Sequence, residues 1–230
     1  MGRQTLGSFW ERLVQPQVFL AMLLRYFDVD KAVSRGRWRG AIANGQYLLF
    51  RREAYEALGG HEAVSGDVVE DLALAQLVVR SGRRLSIRLA ESALATRMYR
   101  SLRELVDGWS KNIVLGGLRT MPPWTRPFVA PAFALAGVVL WIVPPAVLVA
   151  CVAPGFGDAG LIAWSATAVA LSLVLWTGFT RRMGAPARYG LLYPLGAAVA
   201  VYIVLRAWRR GRNVEWKGRT YVLEHASEAP

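Results

Sequence analysis

Residues 127–157 read PFVAPAFALAGVVLWIVPPAVLVACVAPGFG, 31 positions without one charged side chain. After Asp158, residues 159–180 add 22 more, and beyond Arg181, Arg182 and Arg188 a third run of 17 covers 189–205. About 20 apolar residues in a helix cross a hydrocarbon core, so the spacing predicts three transmembrane segments of decreasing length. A soluble domain could not fold around so long a stretch without far more polar surface. Pro144-Pro145 lies inside the first segment, where two missing backbone donors predict a kink or a break.

Upstream the composition reverses. Of the 28 Lys and Arg in the 230 residues, 19 fall within residues 1–126, together with 12 of the 16 Asp and Glu. This half faces water. A hydrophobic content of 54% excludes disorder, and the single cysteine, Cys151, can form no internal disulfide. The net charge of +12 suits nucleic acid, anionic lipid head groups or a phosphorylated substrate. Neither zinc-finger spacing nor an RNA-binding aromatic signature is present, so nucleic acid is set aside in favour of the membrane. Three domains follow: residues 1–126 as a mixed α and β unit with interfacial helices, 127–208 as the membrane region, and 209–230 as a basic tail.

Orientation sets a conflict. With the first half cytoplasmic, Asp158 lies outside and Arg181, Arg182 and Arg188 inside, as the positive-inside rule requires. Three crossings then put Arg206, Arg209, Arg210, Arg212, Lys217 and Arg219 outside, against it. Either the tail defies the rule or one segment is re-entrant. The Pro-Pro-broken first run and the short third run, with Gly190, Pro194 and Gly196, are the candidates.

Within the first half, Val18, Phe19, Met22, Leu23, Tyr26 and Phe27 recur at helical spacing, opposite Arg12, Arg25, Asp28 and Asp30. That run is too short to span a bilayer and predicts an interfacial or core-packed helix. Residues 34–40, SRGRWRG, form a basic loop with a tryptophan, read as a solvated loop near lipid or as a substrate contact. Residues 46–50 read as a short buried strand, and 85–89 alternate like a half-buried one. Residues 52–58 predict a short helix closed by Gly59-Gly60, and Leu72, Ala75, Gln76 and Val79 mark one face of a helix ending near Gly82. Ser101 and Glu104 form a capping box that opens a helix towards Asn112.

The chemistry-bearing residues are few. Glu70-Asp71 stands at a helix start, where carboxylates contribute ~0.3–1 kcal/mol to the helix alone. A carboxylate there can also take the proton of an acceptor hydroxyl within hydrogen-bond reach. Arg100 and Lys111 could neutralise a diphosphate or simply face lipid head groups, and Trp109 offers a flat apolar wall. The segment 215–221, EWKGRTY, is short, basic and aromatic without helical periodicity. His61 reads as a polar loop residue. No nucleophile elbow, phosphate loop or metal-ligand spacing is present.

Together these pieces resemble a family. Asn44-Gly45-Gln46, Arg51-Arg52-Glu53-Ala54-Tyr55 to Gly59-Gly60-His61, and Val69-Glu70-Asp71-Leu72 look like the acceptor side of membrane-bound family 2 glycosyltransferases. Arg97-Met98-Tyr99, Gly108-Trp109-Ser110-Lys111-Asn112, the hydrophobic spans and Trp216-Lys217-Gly218-Arg219-Thr220-Tyr221 fit the same branch, which includes ceramide, carotenoid and hopanoid glycosyltransferases. The resemblance covers residues 8–223 and implies the acceptor-side half of a GT-A-like α/β domain, followed by about three transmembrane helices. It implies sugar transfer from a nucleotide-sugar to a membrane lipid or polyisoprenoid acceptor, in a multi-pass cell-membrane protein whose soluble part is cytoplasmic. Asp71 takes the place of the general base, beside Glu70. Asn44, Gly45, Arg100, Trp109, Lys111, Trp216 and Arg219 take substrate-binding places.

The departures from the family are equally specific. A divalent metal, Mg or Mn, is expected for the full-length family on an Asp-x-Asp motif, and this chain offers no such site. Asp28-Val29-Asp30 has the letters but follows the amphipathic stretch rather than a strand. Gly108 and Leu105 stand where the family's Gln-x-x-Arg-Trp motif has arginine and glutamine, which leaves Arg100 or Lys111 to meet the diphosphate. The resemblance therefore implies the second part of such an enzyme, needing a donor-binding half. The alternative is a non-catalytic relative that supplies acceptor binding to a partner.

Overall fold

The computed structural model describes residues 2–25, 33–67, 69–88, 90–151, 158–210, 213–216 and 219–222, the last two segments as backbone only. Asp28 and Asp30 lie outside these residues, as does Leu89.

Helix α1 (Phe9–Arg25) forms where the apolar spacing predicts it. Ser8 and Glu11 make a second capping box: Ser8 Oγ accepts from the Glu11 N–H at 3.3 Å, and Glu11 Oε2 accepts from the Ser8 N–H at 2.6 Å. Glu11 is fully buried. Arg97 donates to it twice, Nε to Oε1 at 2.9 Å and Nη2 to Oε2 at 2.8 Å. Burial pushes the Glu11 carboxyl up, but the bonds from Arg97 and Ser8 outweigh it and hold the group at about 2, against an ordinary 4.5. A depressed carboxyl stabilises the fold above its unfolded pKa and loses that contribution as pH falls from about 4.5 towards 2. Glu11→Gln is expected to cost about 2–3 kcal/mol near neutral pH, allowing for the partial exposure of Arg97. Thermal unfolding in detergent should show the gap between variant and parent closing through that acid window.

Helix α1 is core-packed. Leu13, Val14 and Val18 join Leu105, Val106, Trp109 and Ile203 in the largest hydrophobic cluster. Helix α2 (Arg52–Ala57) ends at Gly59 and Gly60 as predicted, both at positive φ. Helix α3 (Glu70–Arg80) is buried on almost every side, broader than the single face predicted, because chain covers it twice. Trp38, Ala41 and Ala43 pack on Ala75 and Val79, while Leu48, Phe50 and Val64 pack on Ala73 and Leu74. An ion pair between Arg119 and Asp67, and Gln76 Nε2 donating to the Arg119 carbonyl at 3.4 Å, tie this layer to helix α4 (Leu102–Thr120). The Ser101 hydroxyl caps α4 as predicted, accepting from the Glu104 N–H at 3.2 Å.

The strands differ from expectation. Residues 46–50 and 85–88 form no ladder among the described residues. Residues 46–50 are not buried throughout, as expected of a buried strand: Leu48 and Phe50 pack inward, Tyr47 and Leu49 are exposed, and among the described residues no strand lies beside them. The sheet of this half is a two-residue parallel pair, β1 (Arg3–Gln4) with β2 (Ala95–Thr96). The half is mostly helical rather than evenly α and β.

Two helical segments among the described residues, rather than three, are long and apolar enough to cross a membrane: Pro123–Ala150 and Ala159–Arg182. The first comprises a 3₁₀ turn (Pro123–Thr125), α5 (Arg126–Trp141) and α6 (Val143–Ala150), broken at Ile142 just ahead of the two prolines. The second is α7 (Ala159–Arg182), whose N-terminus Asp158 caps by accepting from the Leu161 N–H at 2.8 Å. The third run is divided at Leu192 into α8 (Arg188–Leu191) and α9 (Tyr193–Arg210). Helix α9 is amphipathic and lies against α1, α4 and α5, burying Tyr193, Gly196, Ala197, Ile203, Val204 and Ala207. One side of α9 faces protein, and the other exposes Leu195, Tyr202 and Trp208.

Two ion pairs then fix where the helices end. Arg182, closing α7, donates to both Glu91 oxygens at 3.0 Å. Arg206, near the end of α9, meets Asp107 of α4 at 2.5 Å. Both C-termini therefore sit against the water-facing half. The tail is a hairpin of β3 (Asn213–Trp216) and β4 (Arg219–Val222), with Trp216 opposite Arg219.

Candidate functional site

Asp71 occupies the first turn of α3. Its Oδ2 accepts from the Gly45 N–H at 2.6 Å, and its Oδ1 from the Leu72 N–H at 2.8 Å. The loop that brings Gly45 there is a turn built by Asn44, whose Oδ1 accepts from the Gln46 N–H at 3.1 Å. The Asn44 carbonyl accepts from the Tyr47 N–H at 3.3 Å. A short polar side chain bonding its own backbone two residues on is a local device, so the Asn44-Gly45-Gln46 motif is enough to form it. Both oxygens of Asp71 keep a further lone pair for a substrate proton.

Asp71 borders a cavity of about 530 Å³ between α1, α3, α4, α5 and α9, within the ~300–1,000 Å³ usual for small-molecule sites. Val18, Met22, Met98, Ile113, Phe133 and Val204 make much of its wall. Gln17, Asn44, Asp71, Asn112 and Arg126 are its polar contributors. Trp109 closes one side. Its indole N–H donates to Gln15 Oε1 at 2.8 Å, and Phe19 and Tyr99 meet its ring edge-on at 5.7 and 6.0 Å. Gln15 is buried, so the indole is held by a hydrogen bond that water cannot replace.

The structure thus brings Asn44, Gly45, Asp71 and Trp109 together. Glu70 is exposed and off the cavity, and Arg100 and Lys111 are not on its wall. The Arg100 backbone N–H donates to Glu104 Oε2 at 2.9 Å as part of the α4 cap. Lys111 is two residues from Trp109, and residues two apart on a helix do not share a face. Asn112, Ile113 and Gly116, at three, four and seven residues from Trp109, do line the cavity. That spacing could have found them; Arg126 and Gln17 carried no local signal.

Gly108 has a structural reason. A Cβ there would overlap the ring of Tyr99, and Leu105 is fully buried in the core. Neither position can present a diphosphate ligand. Burial also pushes the Tyr99 hydroxyl well above the usual tyrosine range, partly offset by its hydrogen bond with Asn112. Trp216 and Arg219 are register partners in the β3–β4 pair. Among the described residues no three His, Cys, Asp or Glu side chains could hold one ion.

One carboxylate thus lies on a largely apolar cavity whose wall includes Arg126, Val129 and Phe133 of the first membrane-length segment. The chain matches the model of glycosyl transferase family 21 over residues 21–229 and belongs to that family. It is similar to 4,4'-diaponeurosporenoate glycosyltransferase of Staphylococcus aureus strain MRSA252, 25% identical over 218 residues, covering 90% of this chain and 54% of the relative. The USA300 protein of the same name is 25% identical over 214 residues with the same coverage. The chain therefore spans about half the length of the curated relatives it matches. No solved structure gives a significant match.

Proposed function

We propose that this chain is the acceptor-binding part of a glycosyltransferase that moves a sugar from a nucleotide-sugar to a lipid or polyisoprenoid acceptor at the membrane. The observation that carries this reading is the position of Asp71 on the wall of the apolar cavity. The acceptor's chain lies among Val18, Met22, Ile113 and Phe133, with Trp109 as a flat wall, and its hydroxyl reaches Asp71. The Asp71 carboxylate accepts the hydroxyl proton as the oxygen attacks the anomeric carbon. The nucleoside diphosphate leaves with the electron pair of the broken bond, and the anomeric configuration inverts. Arg126, rather than Arg100 or Lys111, supplies the cation on the cavity wall. The staphylococcal relatives are named for 4,4'-diaponeurosporenoate, a carboxylate, so their name supports the apolar part of the acceptor, while the hydroxyl rests on Asp71 alone.

The same reading places the protein in the cell membrane with its first half cytoplasmic. The segment Pro123–Ala150 leaves the cytoplasmic side and α7 returns to it, so the basic tail stays inside and the charge conflict disappears. Cysteines at 120 and 220 should be labelled from the cytoplasmic face of sealed vesicles and one at 158 from the opposite face. Labelling of 158 and 120 from one side contradicts the hairpin. The function itself is tested in membranes holding this chain together with the portion of the staphylococcal relative it does not match. Labelled UDP- and GDP-sugars should pass into an organic-soluble product; label confined to water-soluble products would reject a lipid acceptor.

A further inference from the structure

The basic loop at 34–40 takes no part in the chemistry above, and the fold sets a second run of arginines beside it. Around them, residues 31–52 and 72–90 hold no Asp or Glu. In the loop, a 3₁₀ turn (Trp38–Gly40) is held by backbone bonds. The Gly40 N–H donates to the Arg37 carbonyl at 2.8 Å, and the Ala41 N–H to that of Trp38 at 3.0 Å. In the second run α3 closes on Gly82, at φ +74°, where the Gly82 and Arg83 N–H groups donate to the Val79 and Val78 carbonyls at 3.1 Å. Val33, Trp38 and Leu85 then pack on the cluster of Ala41, Ala75 and Val79. Trp38 takes a guanidinium from each side of the junction, Arg39 at 4.3 Å and Arg80 at 5.1 Å from its ring.

The result is a surface of one sign. Arg35, Arg37, Arg39, Arg80, Arg83 and Arg84 are all exposed, and among the described residues none of them is in an ion pair. Of the acids that bracket the second run, Glu91 is held by Arg182, while Glu70 and Asp71 stand at the opposite end of α3. Like charges gathered without a counter-charge repel one another, so this surface fits an anion from outside. Its neighbours place it at the membrane edge. Gln76, about one helical turn before Arg80, binds the Arg119 carbonyl just ahead of the segment Pro123–Ala150. Glu91 binds Arg182, the last residue of α7. The turn at 80–84 thus runs between two points tied to the ends of membrane-length helices, and the Trp38 turn packs on α3 and α4 beside it.

We propose that the 35–40 loop and the 80–84 turn form a binding face for the anionic head groups of phospholipids in the bilayer that holds Pro123–Ala150, with Trp38 and its two arginines at the centre. The guanidinium fork matches phosphate oxygens, and each basic residue near an anionic leaflet strengthens attachment roughly fivefold. A half-buried indole between the cations suits the boundary of lipid and water. The diphosphate of a reacting donor is the wrong anion for this place. Arg80 and Asp71 stand at opposite ends of α3, ~13 Å apart along its axis, and none of the six arginines lies on the cavity wall. Attachment here holds the C-terminal end of α3, and through it Asp71, against the lipid surface. Such a face requires only that Pro123–Ala150 enters a bilayer, and it stands whether or not the chain takes part in sugar transfer.

The test places the full chain in lipid nanodiscs of phosphatidylcholine, with and without phosphatidylglycerol, and reads hydrogen exchange. The amides of 35–40 and 80–84 are expected to exchange about tenfold more slowly when phosphatidylglycerol is present, and high salt should remove most of that slowing. Arg37→Gln with Arg83→Gln and Arg84→Gln takes away three exposed charges and no packing. It should cancel the slowing while the chain's melting in detergent and the protection of the buried part of α3 stay as in the parent. Equal exchange in the two bilayers overturns the proposal, and so does slowing that survives in the triple variant or in high salt. Slowing produced in plain phosphatidylcholine by inorganic diphosphate also overturns it, because the arginines then hold a soluble phosphate rather than a lipid head group.

Discussion

Asp71→Asn is expected to lower sugar transfer ~10²–10⁴-fold, the usual contribution of a positioned general base, while nucleotide-sugar binding stays close to normal. The amide is nearly isosteric with the carboxylate, and its oxygen can keep the 2.6 Å bond from the Gly45 N–H. What it cannot do is accept the proton of an attacking hydroxyl. Glu70→Gln is the matched control: Glu70 stands one residue away, exposed and off the cavity wall, so its neutralisation removes only a surface charge from the start of α3. Steady-state transfer by both variants, in the assembly completed with the donor-binding portion, reads the difference directly. Near-normal turnover by the Asp71 variant would remove the base assignment.

The second large effect is all or none. The chain alone is expected to transfer no sugar and to show no saturable binding of UDP- or GDP-sugars with magnesium or manganese. A departing diphosphate needs its charge neutralised, and enzymes of phosphoryl and nucleotide chemistry do this with metal ions and clustered cations. The described cavity wall offers Arg126 for that purpose, while Arg100 and Lys111 lie elsewhere. Titration in detergent, followed by calorimetry, should give only dilution heats. Micromolar binding would place a donor site within this chain and make it a compact complete enzyme.

Much of the fold was legible where the signal is local. The capping box at Ser101 and Glu104 and the break ahead of Pro144 are properties of a few consecutive residues, and the structure has both. The third run is where the local signal stops. A 17-residue apolar stretch looks the same whether lipid or protein covers it; the structure packs Ile203, Val204 and Ala207 against protein and leaves Leu195, Tyr202 and Trp208 exposed. Ion pairs such as Arg206–Asp107 and Arg182–Glu91 join residues about a hundred positions apart, so the positive tail could not be placed from the sequence.

The same division runs through the site. Asp71 was singled out because a helix start announces itself locally, whereas Asn44 and Gly45 came from the family resemblance; the structure joins them through the Gly45 N–H. The apolar run 46–50 reads as buried, yet Tyr47 and Leu49 are exposed, and a ladder needs a neighbour that a short run does not specify. Trp109 was found by resemblance; Gln15, which holds it, is 94 positions away. Gly108 looked like a missing arginine until the Tyr99 ring accounted for the space.

The central claim is that the cavity beside Asp71 receives the apolar acceptor. The most direct measurement is photolabelling of the purified chain in lipid nanodiscs with a diazirine-bearing polyisoprenol, followed by peptide mapping. Adducts are predicted on Val18 and Met22 of α1, Ile113 of α4 and Phe133 of α5, suppressed by excess unlabelled polyisoprenol. Adducts confined to the outer face of α7, at Leu171, Val174 and Leu175, and indifferent to competitor would contradict it.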